Sequence, residues 1–326
     1  MEPLTPTSTE TAPLKGSIGI VGGGAVGGWL AARMQQASWA VTLLCRPGSG
    51  NRTVSRFHVT GPDHGEIKAE VPCEETDRNG SSFDWLFVTV KAGDLATVAQ
   101  QIHGRINEET RLVFPGNGID SWVPFQGCGS DRFFVAATTY GLLRRTAEEI
   151  SVRGDGGEIT LAPVGEFDTD RSQTRLLAEA LSGLGLKTLL ADDGREVVWK
   201  KNILSAGLNP VCALLGIENG QLPASPGFAL ATAASTEAQA VAMAEGFDLP
   251  KNSVAEALTE LCEKTARNRC SMLQDLDAGM GTEVDAISGA IVRRGQELRV
   301  PTPANRLLLN LVSGETLNTC LKTTVN

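Results

Sequence analysis

Short apolar runs alternate with amphipathic segments through the first half of the chain. The runs are rich in β-branched and aromatic residues and are bounded by glycine, proline and polar residues, which is typical of buried strands. They occupy residues 17–21, 40–44, 83–90, 112–114, 133–137, 158–162 and 187–190, with a hairpin predicted over 57–69. Segments with a helical pattern occupy residues 29–34, 95–102 and 171–184. This alternation predicts an α/β fold built on a parallel sheet.

The pattern changes near residue 190. Beyond Asp192 no strand is evident, and segments rich in alanine and leucine predict helices at 193–209, 226–245, 251–267 and 283–296. A chain of 326 residues usually forms more than one core. We therefore expect an α/β domain over residues 17–190 and an all-helical domain over residues 191–326. Residues 1–16 have no basic start and no apolar core, so we expect a disordered tail rather than a secretory signal.

A glycine-rich turn joins the first predicted strand to the first predicted helix. It consists of Gly22, Gly23, Gly24, Ala25, Val26 and Gly27. Strand, glycine turn and helix in this order are typical of a dinucleotide-binding loop. Gly22 would permit the tight turn, Gly24 the approach of a pyrophosphate to the backbone, and Gly27 the packing of the helix on the sheet. A glycine turn without a ligand is the alternative, but the context favours a Rossmann-type, doubly wound domain that binds a dinucleotide.

The second predicted strand indicates which dinucleotide would bind. A site that selects NAD usually has an acidic residue at the end of this strand, about 20 residues after the glycine loop, to hold the ribose hydroxyls. Here the strand is followed by Cys45 and Arg46. An arginine at this position can hold the 2′-phosphate of NADP, although exposed arginines are also common without such a role. We therefore expect NADPH rather than NADH as the cofactor.

Composition narrows the remaining classes of function. A net charge of −9 without a basic cluster argues against nucleic-acid binding, and no apolar run approaches the roughly 20 residues of a membrane span. The three histidines have no metal-ligand spacing, so we expect no metal site. Seven cysteines are scattered without a CxxC pair, which favours a reduced, cytoplasmic protein.

One predicted helix of the second half carries candidate chemistry. Lys201, Ser205 and Asn209 lie within about 80° of one another on this helix, so one face presents an amine, a hydroxyl and an amide. A lysine on a partly buried face can meet an anion or transfer a proton, but the spacing alone also fits a lysine at the solvent edge. We expect Pro210 to end or kink the helix, and Asn209 could then cap the break.

Glu283 lies at the start of another predicted helix. Thr282 and Asp285 fit a capping pair for a helix that runs through Arg294, which would place Glu283 in the first turn. The helix dipole favours a carboxylate there. The position alone therefore does not distinguish a functional acid from one that only stabilises the helix.

A series of short motifs runs through nearly the whole chain, from Ser17 to about Leu311. They are GGGAVG at 22–27, Arg46, VTVKA at 88–92, NG at 117–118, TTYG at 138–141, WKK with NP over 199–210, NGQL at 219–222, SMLQD at 271–275 and TEVD at 282–285. In this order and spacing the motifs resemble those of the ketopantoate reductase (2-dehydropantoate 2-reductase) family.

The resemblance implies an enzyme, an NADP-dependent oxidoreductase acting on CH–OH groups. It would reduce a 2-keto acid to a 2-hydroxy acid with NADPH, and 2-dehydropantoate, reduced to pantoate in pantothenate biosynthesis, is the leading substrate. By analogy Lys201 is the general acid, and Glu283 hydrogen-bonds the substrate or the cofactor. Positions that bind the cofactor phosphates match Arg46 and Lys91, and a position near both the nicotinamide and the substrate matches Asn117. The other positions that contact the substrate match Ser205, Asn209, Asn219 and Ser271.

One departure from the family bears on the substrate. Ser205 stands where the family usually has an asparagine. The resemblance therefore leaves open which 2-keto acid is the best substrate. A β-hydroxyacid dehydrogenase is the alternative enzyme class, but its loop usually has methionine where this chain has Val26. A non-catalytic NADPH-binding sensor is the alternative outside the enzymes, although the lysine and the glycine loop are both present. The family includes monomers and dimers, so a homodimer is a further expectation.

Overall fold

The structure is a computed structural model that describes residues 2–3, 14–48, 52–62, 65–77, 80–153, 157–248 and 253–324, with only the backbone of residues 2–3 and 315–324. Contacts divide the chain into two units. Unit 1 comprises residues 1–116 and 120–197, and unit 2 comprises residues 117–119 and 198–326. Within the expected N-terminal tail, residues 1 and 4–13 lie outside the described residues.

The described residues of unit 1 form the strands and three α-helices. The strands are β1 (Glu2–Pro3), β2 (Ile18–Val21), β3 (Val41–Cys45), β4 (Val54–Gly61), β5 (Gly65–Glu75), β6 (Trp85–Val88), β7 (Arg111–Phe114), β8 (Phe133–Thr138), β9 (Gly141–Arg144), β10 (Glu149–Arg153), β11 (Ile159–Val164) and β12 (Thr188–Leu190). The helices are α1 (Ala25–Gln36), α2 (Leu95–Gln101) and α3 (Ser172–Gly183).

The sheet has a parallel centre, and the predicted α/β fold is confirmed. Its order is β1-β12-β11-β8-β7-β6-β2-β3-β5-β4-β10-β9, and the strands from β8 to β5 in this order are all parallel. Ile20 pairs with Leu43 on β3 and with Phe87 on β6, and all three side chains are buried. Burial of these strands explains why they are almost unbroken apolar runs in the sequence.

Antiparallel strands extend this parallel centre on both sides, so the sheet is mixed. On one side β11 pairs antiparallel with β8, and on the other β4 pairs antiparallel with β5 as the predicted hairpin. The strands β9 and β10 were not predicted from the sequence. In β10 only Ile150 and Val152 are buried, between Glu149 and Arg153, so the alternation is too short to stand out from a charged loop.

The TTYG motif at 138–141 forms a short connection between two strands. Thr138 ends β8 and Gly141 begins β9, which leaves two residues between the strands. Tyr140 is buried, with its ring centroid 5.0 Å from that of Trp29 on α1, and its hydroxyl accepts a hydrogen bond from the Lys187 backbone N–H at 3.1 Å. This segment therefore packs α1 against the sheet.

Unit 2 is helical in its described residues. It contains α4 (Gly194–Leu215, whose first four residues group with unit 1), α5 (Phe228–Ala244), α6 (Val254–Lys264), α7 (Ser271–Asp277), α8 (Ala290–Leu298) and α9 (Pro303–Thr324). A π-helical turn, Asp285–Gly289, leads into α8. The short α7 and the long α9 were not predicted, although proline at the first position of α9 is a typical start signal.

Helix α4 continues through Pro210, so of the two expectations at this residue, an end or a kink, the end is wrong. Proline lacks the N–H that would bond the carbonyl of Ala206, so continuation must be supported by packing. Val211 and Cys212, in the turn after the proline, are buried. A Cβ on Gly207 would overlap Ala231 and Ser235 of α5, so the two helices approach closely here. Asn209 therefore lies inside the helix and does not cap a break.

Asp285, at the start of the π-helical turn, forms an ion pair with Arg293 of α8. The Asp285 carboxylate accepts a hydrogen bond from Arg293 Nη1 at 2.8 Å, and Arg293 Nη2 donates to the Asp285 carbonyl oxygen at 3.1 Å. These contacts span the π-helical turn and hold its first residue against α8.

A buried charged group ties α4 to α5 and α8. Glu245, at the end of α5, accepts hydrogen bonds from Trp199 Nε1 at 3.0 Å and from Arg294 Nη1. The Arg294 and Glu245 side chains are only 18% and 12% exposed, and the guanidinium lies over the Trp199 ring. The group fixes the turn of α4 that precedes Lys201.

We predict that Arg294→Met destabilises the protein by roughly 3 kcal/mol, because it leaves the Glu245 carboxylate buried without its charged partner. Arg293→Met is the matched control, since it breaks the Arg293–Asp285 pair, whose side chains are 55% and 74% exposed. The control should cost no more than about 1 kcal/mol. Urea unfolding followed by circular dichroism measures both free energies of unfolding, and equal losses would contradict a special role for the buried group.

Candidate active site

The glycine loop in unit 1 is shaped by contacts that leave no room for side chains at two positions. Gly22 has φ +97°, in the left-handed region, and its N–H donates to the Leu44 carbonyl at 3.0 Å. Thr89 Oγ1, just after β6, donates to the carbonyls of both Val21 and Gly22 at 2.8 Å. A Cβ on Gly27 would overlap the Gly22 carbonyl and Thr89 Oγ1. The first turn of α1 is therefore pressed against the loop and the end of β6.

The other side of the loop is open. Gly24 is the N-cap of α1, and a Cβ added there would meet nothing within 4 Å. Gly23, Ala25 and Val26 are half-buried, and Val26 packs against the core of unit 1. Because the first turn of α1 has no acidic side chain, its free N–H groups and the positive end of the helix dipole can accept a phosphate. The loop fits the pyrophosphate of a dinucleotide.

Two basic residues and one acid lie at the same edge of the sheet. Arg46 directly follows β3, and its side chain is 78% exposed. Arg46 Nη2 donates to Asp94 Oδ2 at 2.6 Å. Asp94 ends a 3₁₀ turn that begins after Lys91, and its N–H donates to the Lys91 carbonyl at 2.9 Å. Arg46 follows β3, and Lys91 and Asp94 lie in the segment after β6; both strands pair with β2.

Thr89 and Asp94 were missed by the sequence reasoning. Thr89 lies within the VTVKA motif at 88–92, where only Lys91 was assigned a role, and Asp94 belongs to none of the motifs. The available signal was their position after β6, next to the strand that carries the glycine loop. A polar residue at that point of a doubly wound sheet faces the ligand edge.

In unit 2, α4 carries three of the predicted site residues. Lys201 and Ser205 are half-buried, and Asn209 is buried. Burial lowers the pKa of Lys201 to about 8, and the nearby Glu283 carboxylate opposes this shift by favouring the charged amine. A lysine with a pKa of about 8 can give or take a proton near neutral pH.

Glu283 also contacts Asn117. Asn117 Nδ2 donates to Glu283 Oε2 at 3.1 Å. The Glu283 carbonyl accepts from the N–H groups of Ala286 and Ile287, so the residue is held at the entry of the π-helical turn. Such turns often occur at functional sites. Unit 2 thus brings together an amine, a carboxylate and an amide from Lys201, Glu283 and Asn117, which we call the lysine group.

Two further predicted site residues, Asn219 and Ser271, begin short helices of unit 2. The Asn219 side chain is buried, and Nδ2 donates to Thr265 Oγ1 at 2.9 Å. Its Oδ1 has no hydrogen-bond partner among the described residues. Ser271 is the exposed first residue of α7, and the preceding Cys270 Sγ donates to the Asn209 carbonyl at 3.4 Å. The start of α7 is therefore tied to the turn of α4 that contains Asn209.

Other kinds of site are not evident in the described part of the chain. Its residues include no group of three or more histidine, cysteine, aspartate or glutamate side chains that could hold a metal ion. Among the helices of that part, none combines the length and apolar character needed to cross a membrane. The six cysteines whose side chains are described are free thiols.

Comparisons with known proteins cover both units. Residues 18–166 match the family model "Ketopantoate reductase PanE/ApbA", and residues 193–315 match the model of its C-terminal part. A 2-dehydropantoate 2-reductase from Archaeoglobus fulgidus is 30% identical over 297 residues, which is 90% of this chain and 96% of the relative.

Solved structures agree on the fold. A D-mandelate dehydrogenase bound to NADH and anilino(oxo)acetate has a TM-score of 0.84 at 22% identity, covering 93% of this chain and 99% of that one. A ketopantoate reductase from Staphylococcus aureus, described as dimeric, has a TM-score of 0.76 at 19% identity, with the same coverage of both chains. Since the family models together span most of the chain and the relative matches nearly end to end, this protein belongs to the ketopantoate reductase family of oxidoreductases.

Proposed function

We propose that this protein reduces a 2-keto acid to a 2-hydroxy acid with NADPH, and that 2-dehydropantoate, which gives pantoate in pantothenate biosynthesis, is its leading substrate. The observation that carries the proposal is the lysine group of unit 2. A half-buried Lys201 whose pKa is lowered to about 8, opposed by Glu283, is suited to proton transfer. Family membership and the substrate of the Archaeoglobus fulgidus relative support the reaction.

The glycine loop of unit 1 would bind the cofactor. The N–H groups at the start of α1 would hold the pyrophosphate, and Gly24 leaves space for it because an added Cβ would meet no neighbouring group within 4 Å. Arg46 and Lys91 would take the 2′-phosphate, which favours NADPH over NADH. When bound, the nicotinamide supplies the hydride for the reduction.

Lys201 would act on the carbonyl oxygen of the substrate. Addition of a hydride to the carbonyl carbon puts negative charge on this oxygen, and the Lys201 ammonium stabilises the charge and gives it a proton. A general acid of this kind contributes about 10²- to 10⁴-fold in rate. Glu283 favours the protonated amine and is itself held by Asn117 Nδ2. The Glu283 carboxylate therefore favours the protonated form of Lys201 between turnovers.

The remaining predicted residues would position the substrate. Asn209, Asn219 and Ser271 offer amide and hydroxyl groups, and the unpartnered Oδ1 of the buried Asn219 can accept a hydrogen bond from a substrate hydroxyl. Ser205 provides a shorter side chain than the asparagine usual in the family, which leaves more space beside Lys201.

A second candidate is the reduction of a bulkier 2-keto acid by the same mechanism. Ser205 favours it, because a smaller side chain accommodates a larger substituent. The similarity to D-mandelate dehydrogenase, whose structure holds anilino(oxo)acetate, points in the same direction. The chemistry at Lys201 is the same for both substrates.

The proposal also covers the partners and the location of the protein. A small 2-keto acid is the substrate, and we propose a homodimer on the strength of the dimeric Staphylococcus aureus relative. The free thiols among the described residues support the cytoplasm as the compartment.

The pH dependence of the reduction tests the role of Lys201. We predict that kcat/KM is constant below about pH 7 and falls above about pH 8, because the amine must be protonated and its pKa is about 8. Glu283→Gln removes the charge that raises this pKa, so its alkaline limb should move to lower pH. A limb that stays in place or moves to higher pH in Glu283→Gln would contradict this coupling.

Lys201→Arg separates proton transfer from charge. Arginine keeps the positive charge but does not release a proton near neutral pH, so we predict a loss of at least about 10² in kcat. Binding of NADPH, followed by the fluorescence of the reduced nicotinamide, should be unchanged. Full turnover in this variant would refute the general acid, and NADPH binding without turnover of any 2-keto acid by the unmodified protein would indicate a sensor.

Ser205→Asn tests the choice of substrate. We predict that it raises kcat/KM for 2-dehydropantoate relative to aryl and branched 2-keto acids by about tenfold, because the larger amide fills the space that a bulky substituent would use. Thr236→Asn, which adds an amide at an exposed position of α5, is the control and should not change the ratio. NADPH oxidation with each acid gives the ratio. Oxidation of 3-hydroxy acids alone would instead indicate a β-hydroxyacid dehydrogenase.

A further inference from the structure

The Arg46–Asp94 pair bridges the two strands on either side of β2. In the sheet β2 pairs with β3 on one side and with β6 on the other, so that Val21 is level with both Leu44 and Val88. Arg46 follows β3, and Asp94 ends the 3₁₀ turn after β6. Their side chains meet at 2.6 Å, so the pair joins the loops that follow both neighbours of β2, the strand that leads into the glycine loop.

This position is where NADP and NAD differ chemically. The adenosine ribose of a dinucleotide lies beside the end of the strand that follows the glycine-loop helix, where its 2′ substituent meets the residues after that strand. NADP carries a phosphate at this position, with a charge close to −2, whereas NAD carries a neutral hydroxyl. A guanidinium attracts the phosphate, and a carboxylate repels it but accepts a hydrogen bond from the hydroxyl.

The Arg46–Asp94 ion pair can break at little cost in stability. The side chains of Arg46 and Asp94 are 78% and 41% exposed, and ion pairs as exposed as this contribute little to stability. Arg46 can therefore leave Asp94 for a phosphate. Asp94 moves less freely, because its backbone is fixed in the 3₁₀ turn by the hydrogen bond from its N–H to the Lys91 carbonyl.

We propose that Asp94 is a specificity-determining residue that lowers the preference for NADPH over NADH. Its carboxylate competes with the 2′-phosphate for Arg46 and repels that phosphate. It also accepts a hydrogen bond from the 2′-hydroxyl of NADH. The pair thus makes the chain able to use both cofactors, with Arg46 serving one and Asp94 the other. This inference rests on the proposed binding of a dinucleotide at the glycine loop.

Equilibrium binding tests the proposal without turnover. Dissociation constants for NADPH and NADH are measured by nicotinamide fluorescence, and those for adenosine 2′,5′-bisphosphate and 5′-AMP by calorimetry. Asp94→Asn keeps the size of the side chain and removes its charge. We expect it to raise the preference for NADPH over NADH, and for the bisphosphate over 5′-AMP, by about tenfold or more, with tighter NADPH and weaker NADH.

Two variants serve as controls. Glu70→Gln removes one negative charge from a comparably exposed ion pair, between Arg56 on β4 and Glu70 on β5. It should leave the ratio of NADPH to NADH affinity unchanged. Arg46→Met should lower the preference for NADPH, and Asp94→Asn added to it should then have a smaller effect than alone.

The outcomes separate this inference from the proposed function. If the unmodified protein binds neither dinucleotide, the cofactor proposal fails and the role of Asp94 fails with it. If both bind but Asp94→Asn changes the ratio by less than about twofold, or changes it no more than Glu70→Gln does, only the role of Asp94 is refuted. A lower preference for NADPH in Asp94→Asn would also refute it.

Discussion

The contact at Gly27 is the constraint on which the glycine loop of unit 1 depends. The absence of a Cβ at this position lets the first turn of α1 lie against the Gly22 carbonyl and Thr89 Oγ1. Thr89 in turn holds the carbonyls of Val21 and Gly22, so the end of β6 fixes the conformation of the loop that leaves β2. These contacts, all within unit 1, therefore set the conformation of the loop at the start of α1.

The lysine group of unit 2 follows a different principle. Its key side chain is destabilised as a cation by burial and stabilised by one carboxylate, and the balance leaves its pKa near 8 rather than at the usual value of a lysine. Burial favours loss of the proton, and the Glu283 carboxylate opposes that loss. The pKa of Lys201 is therefore the balance of two opposing effects.

Particular residues show what the sequence could and could not predict. The central strands and most helices were evident because burial on both faces of a sheet, or on one face of a helix, leaves a periodic pattern. Strand β10 was missed because only two of its residues are buried, and the end of α4 was misplaced because packing around Val211 and Cys212 outweighs the effect of Pro210. The face with Lys201, Ser205 and Asn209 followed from helical spacing. The contact between Asn117 and Glu283 joins residues far apart in sequence, and no local pattern encodes it.

The membership of residues 117–119 in unit 2 has a consequence for how this protein can be divided. Residues 117–119 group with unit 2, whereas the residues before them and those from 120 to 197 group with unit 1. The chain enters unit 2 again at residue 198. A fragment that begins at residue 198 would contain Lys201 and Glu283 but would lack the amide that binds the Glu283 carboxylate. The helical half is therefore not a self-contained cassette. A C-terminal half exchanged between relatives would keep this contact only if the N-terminal half that receives it has an asparagine in the segment equivalent to residues 117–119.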